Sequence, residues 1–429
     1  MAKRRYWLLV CLFVLSGRPT VAYSQTATVE VAALISRLGS TAYPERIAAQ
    51  RDLAALGNSA REDLETALES PDPEVRLAAS GLLKRLKLAE LWGSSAVDGI
   101  LEGEQLSSIF AAIAQQTGNR LLVSDQYGAF NDATASLDFQ QVPFWRAVDV
   151  VCSQTGNHVR PHYDTGNPGL VVVAGAPGKN PVAYAGPVRA QVTSARRVFV
   201  EELDYQQMTS EQTHTFQLNL QVMWEDRFRL VAYRSQPDLV LAATDSGVPL
   251  SATQSAGSGW NIASTGTRQL SMTLRLNPPP IEARSLETLQ LRWGLVAVGD
   301  MAVHEISDLS TPAVHRTDDM ELVLEEVQIG NPRCELLVHI VRDMVVPDPS
   351  EILVQENQFE LLDAEGRAYR AQGQTNSLTD RGARLRLSFL APATDSSPAV
   401  LRCHYPRLRS QHDLEIVFNN VPLPTGHPE

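Results

Sequence analysis

Cations are scarce in this chain, and reactive signatures are scarcer. Of 429 residues, 37 are Lys or Arg against 49 Asp or Glu, a formal charge of −12, and only four of the cations are lysine. Nucleic-acid affinity is mostly cation-to-phosphate attraction, so a chain this acidic excludes a nucleic-acid partner. It also presents no basic face to anionic lipid. Aromatic residues make up 6% of the chain, a thin stock for a sugar-stacking surface. Beyond the N-terminus no stretch reaches the ~18 apolar residues that a membrane helix needs, so no span is expected once that segment is removed.

Catalytic motifs are missing as well. There is no GxSxG, HExxH or CxxC, no calcium loop of EF-hand type and no Walker loop. APGKNP holds a Gly-Lys pair without the preceding glycine spacing and opens no helix, so it reads as a linker. Trp224-Glu225-Asp226-Arg227-Phe228 groups two acids with a guanidinium. A local ion pair at a strand end accounts for it better than paired catalytic carboxylates, because nothing nearby supplies desolvation or a base. Asp318-Asp319 and Glu325-Glu326 read as solvated edge charges, and His304 and His339 as ordinary strand residues. No catalytic, cofactor-binding or metal-binding residue is assigned, and no enzymatic activity is expected.

The one arrangement that invites a zinc reading is VCSQTGNHVRPHY, with Cys152, His158 and His162 in one stretch. Gly156 ends the preceding helix, which places Cys152 on that helix and both histidines on the next strand. Residues four apart in a strand are separated by roughly 13 Å. Zinc ligands all lie about 2 Å from one ion, so the two imidazoles cannot share it. Cys152 follows Val148 by one helical turn and is expected to be a buried, inert thiol.

What is present is organisation. Residues 1–24 begin with Lys3-Arg4-Arg5, continue with the apolar run YWLLVCLFVL and end in VAYS. A basic start, a short apolar run and small residues before a cleavage point near Ser24 predict a secretory signal peptide, and a periplasmic or secreted location. Removing its four cations, Lys3, Arg4, Arg5 and Arg18, takes the formal charge from −12 to −16. Residues 29–93 show apolar spacings of three and four throughout, with Pro44 and Pro73 at helix starts and Gly39 and Gly57 as stops. Residues 96–175 alternate strand and helix twice, a compact α+β (βαβ-βαβ) domain in which Gly118 and Gly156 close the helices. Short alternating strands then fill 186–310 and again 314–425, predicting two tandem antiparallel β-sandwiches. The two series match each other at Asp245-Ser246-Gly247 and Asp363-Ala364-Glu365-Gly366, and at LQLRW and AVLRC.

Two resemblances add to this. PERIAAQRDL and PEVRLAASGLL recur about 30 residues apart, and Arg46, Arg76, Ala49 and Ala79 resemble the pattern of HEAT repeats. Around LDFQQVPFWRAVDVVCSQTG, Leu137, Val142, Pro143, Ala147, Val148 and Gly156 match the short N-terminal domain of secretins and TonB-dependent receptors. That resemblance implies a non-catalytic domain making protein–protein contacts in the bacterial envelope. The whole arrangement resembles exported bacterial HEAT-repeat proteins. The internal duplication sets Cys334 and Cys403 where the first copy carries Phe216 and Trp293. By analogy with inter-sheet bridges in sandwiches, a Cys334–Cys403 disulfide is predicted. The expected function is an exported scaffold for an envelope protein partner, with no cofactor. The alternative is carbohydrate or cell-wall-polymer binding through a sandwich face carrying Trp224, Trp260 and Tyr233.

Overall fold

The computed structural model describes residues 22–123, 133–162, 169–175, 178–206, 209–253, 259–263, 268–309, 313–316, 320–330, 332–341, 358–379, 382–393 and 396–424. The expected signal peptide up to Val21 and the pair Asp318-Asp319 lie outside the described residues. The chain divides into two compact units between Ala89 and Glu90.

The first unit is helical: α1 (Ala22–Arg37), α2 (Tyr43–Leu56), a 3-10 turn (Gly57–Ala60), α3 (Arg61–Ala67) and most of α4 (Pro73–Trp92). Leu38, Leu53, Leu64, Ala49, Ala79 and Leu82 form its core. The recurring sequence blocks have a local cause. Arg46 Nη1 donates to the carbonyls of Ser40 (2.8 Å) and Thr41 (3.4 Å), and Arg76 Nη1 to those of Ser70 (2.6 Å) and Pro71 (3.0 Å). Each guanidinium reaches back to the loop that leads into its own helix, while the small alanine one turn on is fully buried.

The expected build of short HEAT-like hairpins, a small α+β domain and two tandem β-sandwiches is not the one the chain adopts. Among the described residues strands take 56% and helices 23%, and the strands form five sheets. A 3.6-residue period identifies each amphipathic helix; it says nothing about how many stack, and stacking is what defines a solenoid.

The second unit begins with β1 (Ala96–Gln105), α5 (Leu106–Thr117), β2 (Leu121–Val123), β3 (Thr134–Pro143), α6 (Phe144–Thr155), β4 (Asn157–His162) and β5 (Gly169–Ala174). β1 pairs antiparallel with β3, and β5 lies between β4 and a parallel β2. Gly118 and Gly156 take φ of 71° and 69° at the two helix ends, a backbone region that glycine enters without penalty. Ile109, Phe110, Ile113, Val148 and Val151 pack with Leu137, Leu170 and Val172 in one core. This region is not free-standing, because Met223 from a later strand belongs to the same core. The Trp145 indole N–H, on α6, donates to the Pro187 carbonyl at 3.0 Å.

The remaining strands are β6 (Val182–Ala185), β7 (Val188–Asp204), β8 (Thr209–Trp224), β9 (Arg229–Arg234), β10 (Asp238–Thr244), β11 (Trp260–Ile262), β12 (Gln269–Leu276) and β13 (Ser285–Ile306). They continue with β14 (Ala313–Arg316), β15 (Glu321–Ile329), β16 (Arg333–Val341), β17 (Gln358–Asp363), β18 (Arg370–Thr379), β19 (Gly382–Leu390) and β20 (Pro398–Pro422). One sheet runs β12-β8-β7-β6 and another β14-β15-β16-β19-β18. Both are flanked by a central sheet, β11-β9-β13-β20-β17, with β10 also on β13.

That central sheet corrects the expectation of two tandem sandwiches. β13 (22 residues) and β20 (25 residues) pair antiparallel in one register, from Ser285↔Pro422 to Ile306↔Leu401. The C-terminal half of β20 therefore lies beside strands that come more than a hundred residues earlier, and the two halves share a sheet. Each long strand reads in sequence as two. Gly299-Asp300 carries a turn signal, yet Asp300 sits inside β13 with φ of 50°, a left-handed kink in a continuous strand. Between Trp293 and Val298 every residue is buried, so the alternation that marks a one-sided strand disappears.

The duplicated turn is real at atomic detail. Gly247 N–H donates to the Thr244 carbonyl at 2.8 Å, and Gly366 N–H to that of Asp363 at 3.1 Å. The side chains of Thr244 and Asp363 each accept from the backbone N–H four residues on, at Val248 (3.0 Å) and Arg367 (2.8 Å). The predicted disulfide is absent. Cys334 and Cys403 are buried free thiols within one core, with Leu336, Leu361 and Leu401. Burial pushes the Cys403 thiol up to about 12 and, with Glu335 adding to it, the Cys334 thiol up to about 11. Each sulfur packs instead among the apolar side chains of that core. The cysteines fill space, as Phe216 and Trp293 do in the first copy, where both are fully buried.

Candidate functional site

A cleft of about 350 Å³ opens between α6 and β4 on one side and the β12-β8-β7-β6 sheet on the other. Its walls include Asp149 and Cys152 from α6, His158 and Arg160 from β4, Arg189 and Gln191 from β7, and Gln221 and Gln269 from β8 and β12. An acid, an imidazole, a thiol and a guanidinium thus line one space, which the sequence did not lead us to expect.

Their chemistry is largely spent on one another. Asp149 Oδ2 accepts from the Tyr184 hydroxyl at 2.6 Å and from Arg189 Nε at 2.8 Å. Arg189 Nη1 donates to Gln191 Oε1 at 2.8 Å, and Gln191 in turn donates to Gln221. The Arg189 and Asp149 side chains keep only 10% and 28% of their surface exposed, so the ion pair is shielded and neutral as a unit. Burial, reinforced by the neighbouring Asp149 charge, pushes the Cys152 thiol up to about 12. The same two causes raise the Tyr184 phenol. A nucleophile needs a lowered pKa or an adjacent base; Cys152 has neither. The remaining amides of Asn180, Gln221 and Gln269 can hydrogen-bond a polar group.

The sequence did not single out Asp149, Tyr184 or Arg189. Asp149 sits between buried Val148 and Val151 on α6, and Arg189 between buried Val188 and Ala190 on β7. A charge on an otherwise apolar stripe was the available signal, and it becomes informative only when both partners are paired in space.

His158 and His162 both lie on β4, and His158 Nδ1 is 3.2 Å from the Gly175 carbonyl oxygen. Among the described residues no three metal-ligating side chains converge. Glu225 and Arg227 pair at 2.7 Å, and Asp226 and Arg268 at 2.7 Å. Glu225 is fully buried and also accepts from Ser94 Oγ (3.0 Å), Ser95 Oγ (2.6 Å) and Asn119 Nδ2 (3.3 Å). Arg227 donates onward to the carbonyls of Glu90, in the last turn of α4, and Gly93, just after it, so the cluster ties that stretch to the β8–β9 turn. Glu325 pairs with Arg384 at 3.0 Å across the outer face of its sheet. Of the three residues named for sugar stacking, Trp224 is buried at 1% exposure. Tyr233 packs edge-on to Trp293, and the Arg234 guanidinium lies 5.9 Å from the Trp260 ring centroid. They form no shared open platform.

One surface feature stands apart from the cleft. β7 and β8 remain paired far beyond the strands that flank them: β6 pairs with β7 no further than Gln191, and β12 with β8 no nearer the tip than Phe216. Among the described strands, the outer part of this hairpin is a two-stranded ribbon. Along it Phe199 (44%), Val200 (49%), Leu203 (46%) and Tyr205 (79%) are exposed.

No helix among the described residues is long and apolar enough to cross a membrane. No protein-family model matches the chain, and no curated protein matches it in sequence. A conserved domain protein from Bacillus anthracis, known from its crystal structure, is similar over 56% of this chain and 89% of its own, at 9% identity and a TM-score of 0.19.

Proposed function

We propose that this protein is a non-catalytic scaffold for protein–protein contacts, exported to the periplasm or beyond. The observation that carries the reading is the β7–β8 ribbon, where Phe199 and Leu203 on one face of β7, Val200 on the other and Tyr205 at the turn are all exposed. Isolated two-stranded ribbons are marginal in water, and contiguous exposed apolar surface marks interaction sites. The quenched groups of the cleft point the same way. So does the likeness of residues 96–175 to the contact-making domain of secretins and TonB-dependent receptors.

The test is affinity capture from an envelope extract with the wild-type protein and with Phe199→Ser/Tyr205→Ser. The expected result is a defined set of proteins retained by the wild type and lost by the variant. Equal retention by both, or selective retention of glycan instead of protein, overturns the reading.

A further inference from the structure

We infer that the β7 edge of the ribbon is a self-recognition surface, on which a second copy of this chain adds its own β7 antiparallel. The inference rests on the scaffold reading and names the partner of that same ribbon. From Thr193 to Asp204 no other described strand lies along the edge of β7 that faces away from β8. A long strand edge of this kind offers its N–H and C=O groups to another strand.

What selects a second copy is the order of side chains. Residues 195–203 read Ala-Arg-Arg-Val-Phe-Val-Glu-Glu-Leu. Laid antiparallel against itself with Phe199 on the two-fold axis, the strand sets Arg196 opposite the second copy's Glu202. Arg197 then faces Glu201, Val198 faces Val200, Phe199 faces Phe199 and Ala195 faces Leu203. Every charge meets its opposite and every apolar residue meets an apolar one. A shift of two residues one way sets Val198 against Glu202, and the other way Arg197 against Phe199. Only the register centred on Phe199 leaves no mismatch. Arg196 and Glu202 are both exposed on the same face of the strand, where directly opposed side chains touch. An interface on a two-fold axis must be complementary to itself, and this sequence is. The chain already uses the same construction internally, since β13 and β20, which carry the matching segments of the two β series, pair antiparallel along their length.

The experiment is analytical ultracentrifugation of the full protein across concentration, with charge-reversal variants. Wild type is expected to dimerise. Arg196→Glu and Glu202→Arg each set like charges opposite one another twice per dimer and should weaken it by about tenfold or more. Arg196→Glu/Glu202→Arg restores opposite charges and should recover affinity to within about threefold of wild type. In Phe199→Cys, a short bismaleimide should link two copies through residue 199, the three described thiols being buried. A wild type that stays monomeric, or a double variant as weak as the two singles combined, overturns the proposal. If the ribbon variant nevertheless loses its envelope proteins in the capture experiment, the scaffold reading survives while self-recognition fails. If the ribbon matters to neither, both fail.

Discussion

Burial sets the chemistry of the three described thiols one by one. Cys152, Cys334 and Cys403 start from an ordinary value of 9.0 and are pushed to about 12, about 11 and about 12. Below pH 9 the folded and unfolded chains both hold these protons, and the stabilising contribution is complete. Above it the unfolded chain ionises first, so stability falls as pH climbs from 9 towards the folded values. We expect the denaturant midpoint to drop between about pH 8 and about pH 10.5, less steeply in Cys403→Val. At about pH 8, iodoacetamide should leave all three thiols unlabelled in the native protein and label all three in denaturant. Rapid native labelling of Cys152 would give the cleft a reactive centre and undo the inert reading.

At the scale of single elements, α6 is held by its tryptophan. Trp145 is 1% exposed, stacks edge-on with Phe144 at 5.1 Å and spends its indole N–H on the Pro187 carbonyl. Trp145→Ala removes both the buried ring and the hydrogen bond, and should cost about 3–5 kcal/mol. Trp145→Phe keeps most of the packing and loses the bond, for about 1–2 kcal/mol. Chemical denaturation followed by circular dichroism separates the two; equal losses would show that the hydrogen bond carries nothing. This helix was legible in the sequence, because its stripe repeats every three to four residues and Gly156 closes it. The repeated hairpin turn was legible too, since Gly247 and Gly366 take φ of 76° and 80°, a region where glycine is the default. The long strands were not. Gly299-Asp300 signals a break locally, and only pairing with a strand a hundred residues away overrides it. The Asp149–Tyr184–Arg189 network was hidden for the same reason: its members come from one helix and two strands that sequence order keeps apart.

For the whole molecule, the decisive element is the shared sheet. β20 completes the pairing of β13 on both sides of the Asp300 kink, so neither β half owns a closed set of strands. Removing residues 410–422 should strip hydrogen-exchange protection from β8 and β16 together, although β16 keeps all its own neighbours. Loss confined to β8 would mean that the halves fold independently. The same sharing explains why domain limits drawn at 310 and 314 looked natural: they follow composition, whereas the backbone hydrogen bonds run across them.

The order of β13 and β20 along the chain has a temporal consequence. β13 leaves the ribosome almost a hundred residues before the strand that must cover its edge. Its apolar middle, Trp293–Val298, therefore waits in an unfinished sheet until β20 has been made. The edge of β13 closes only when residues 398–422 are delivered.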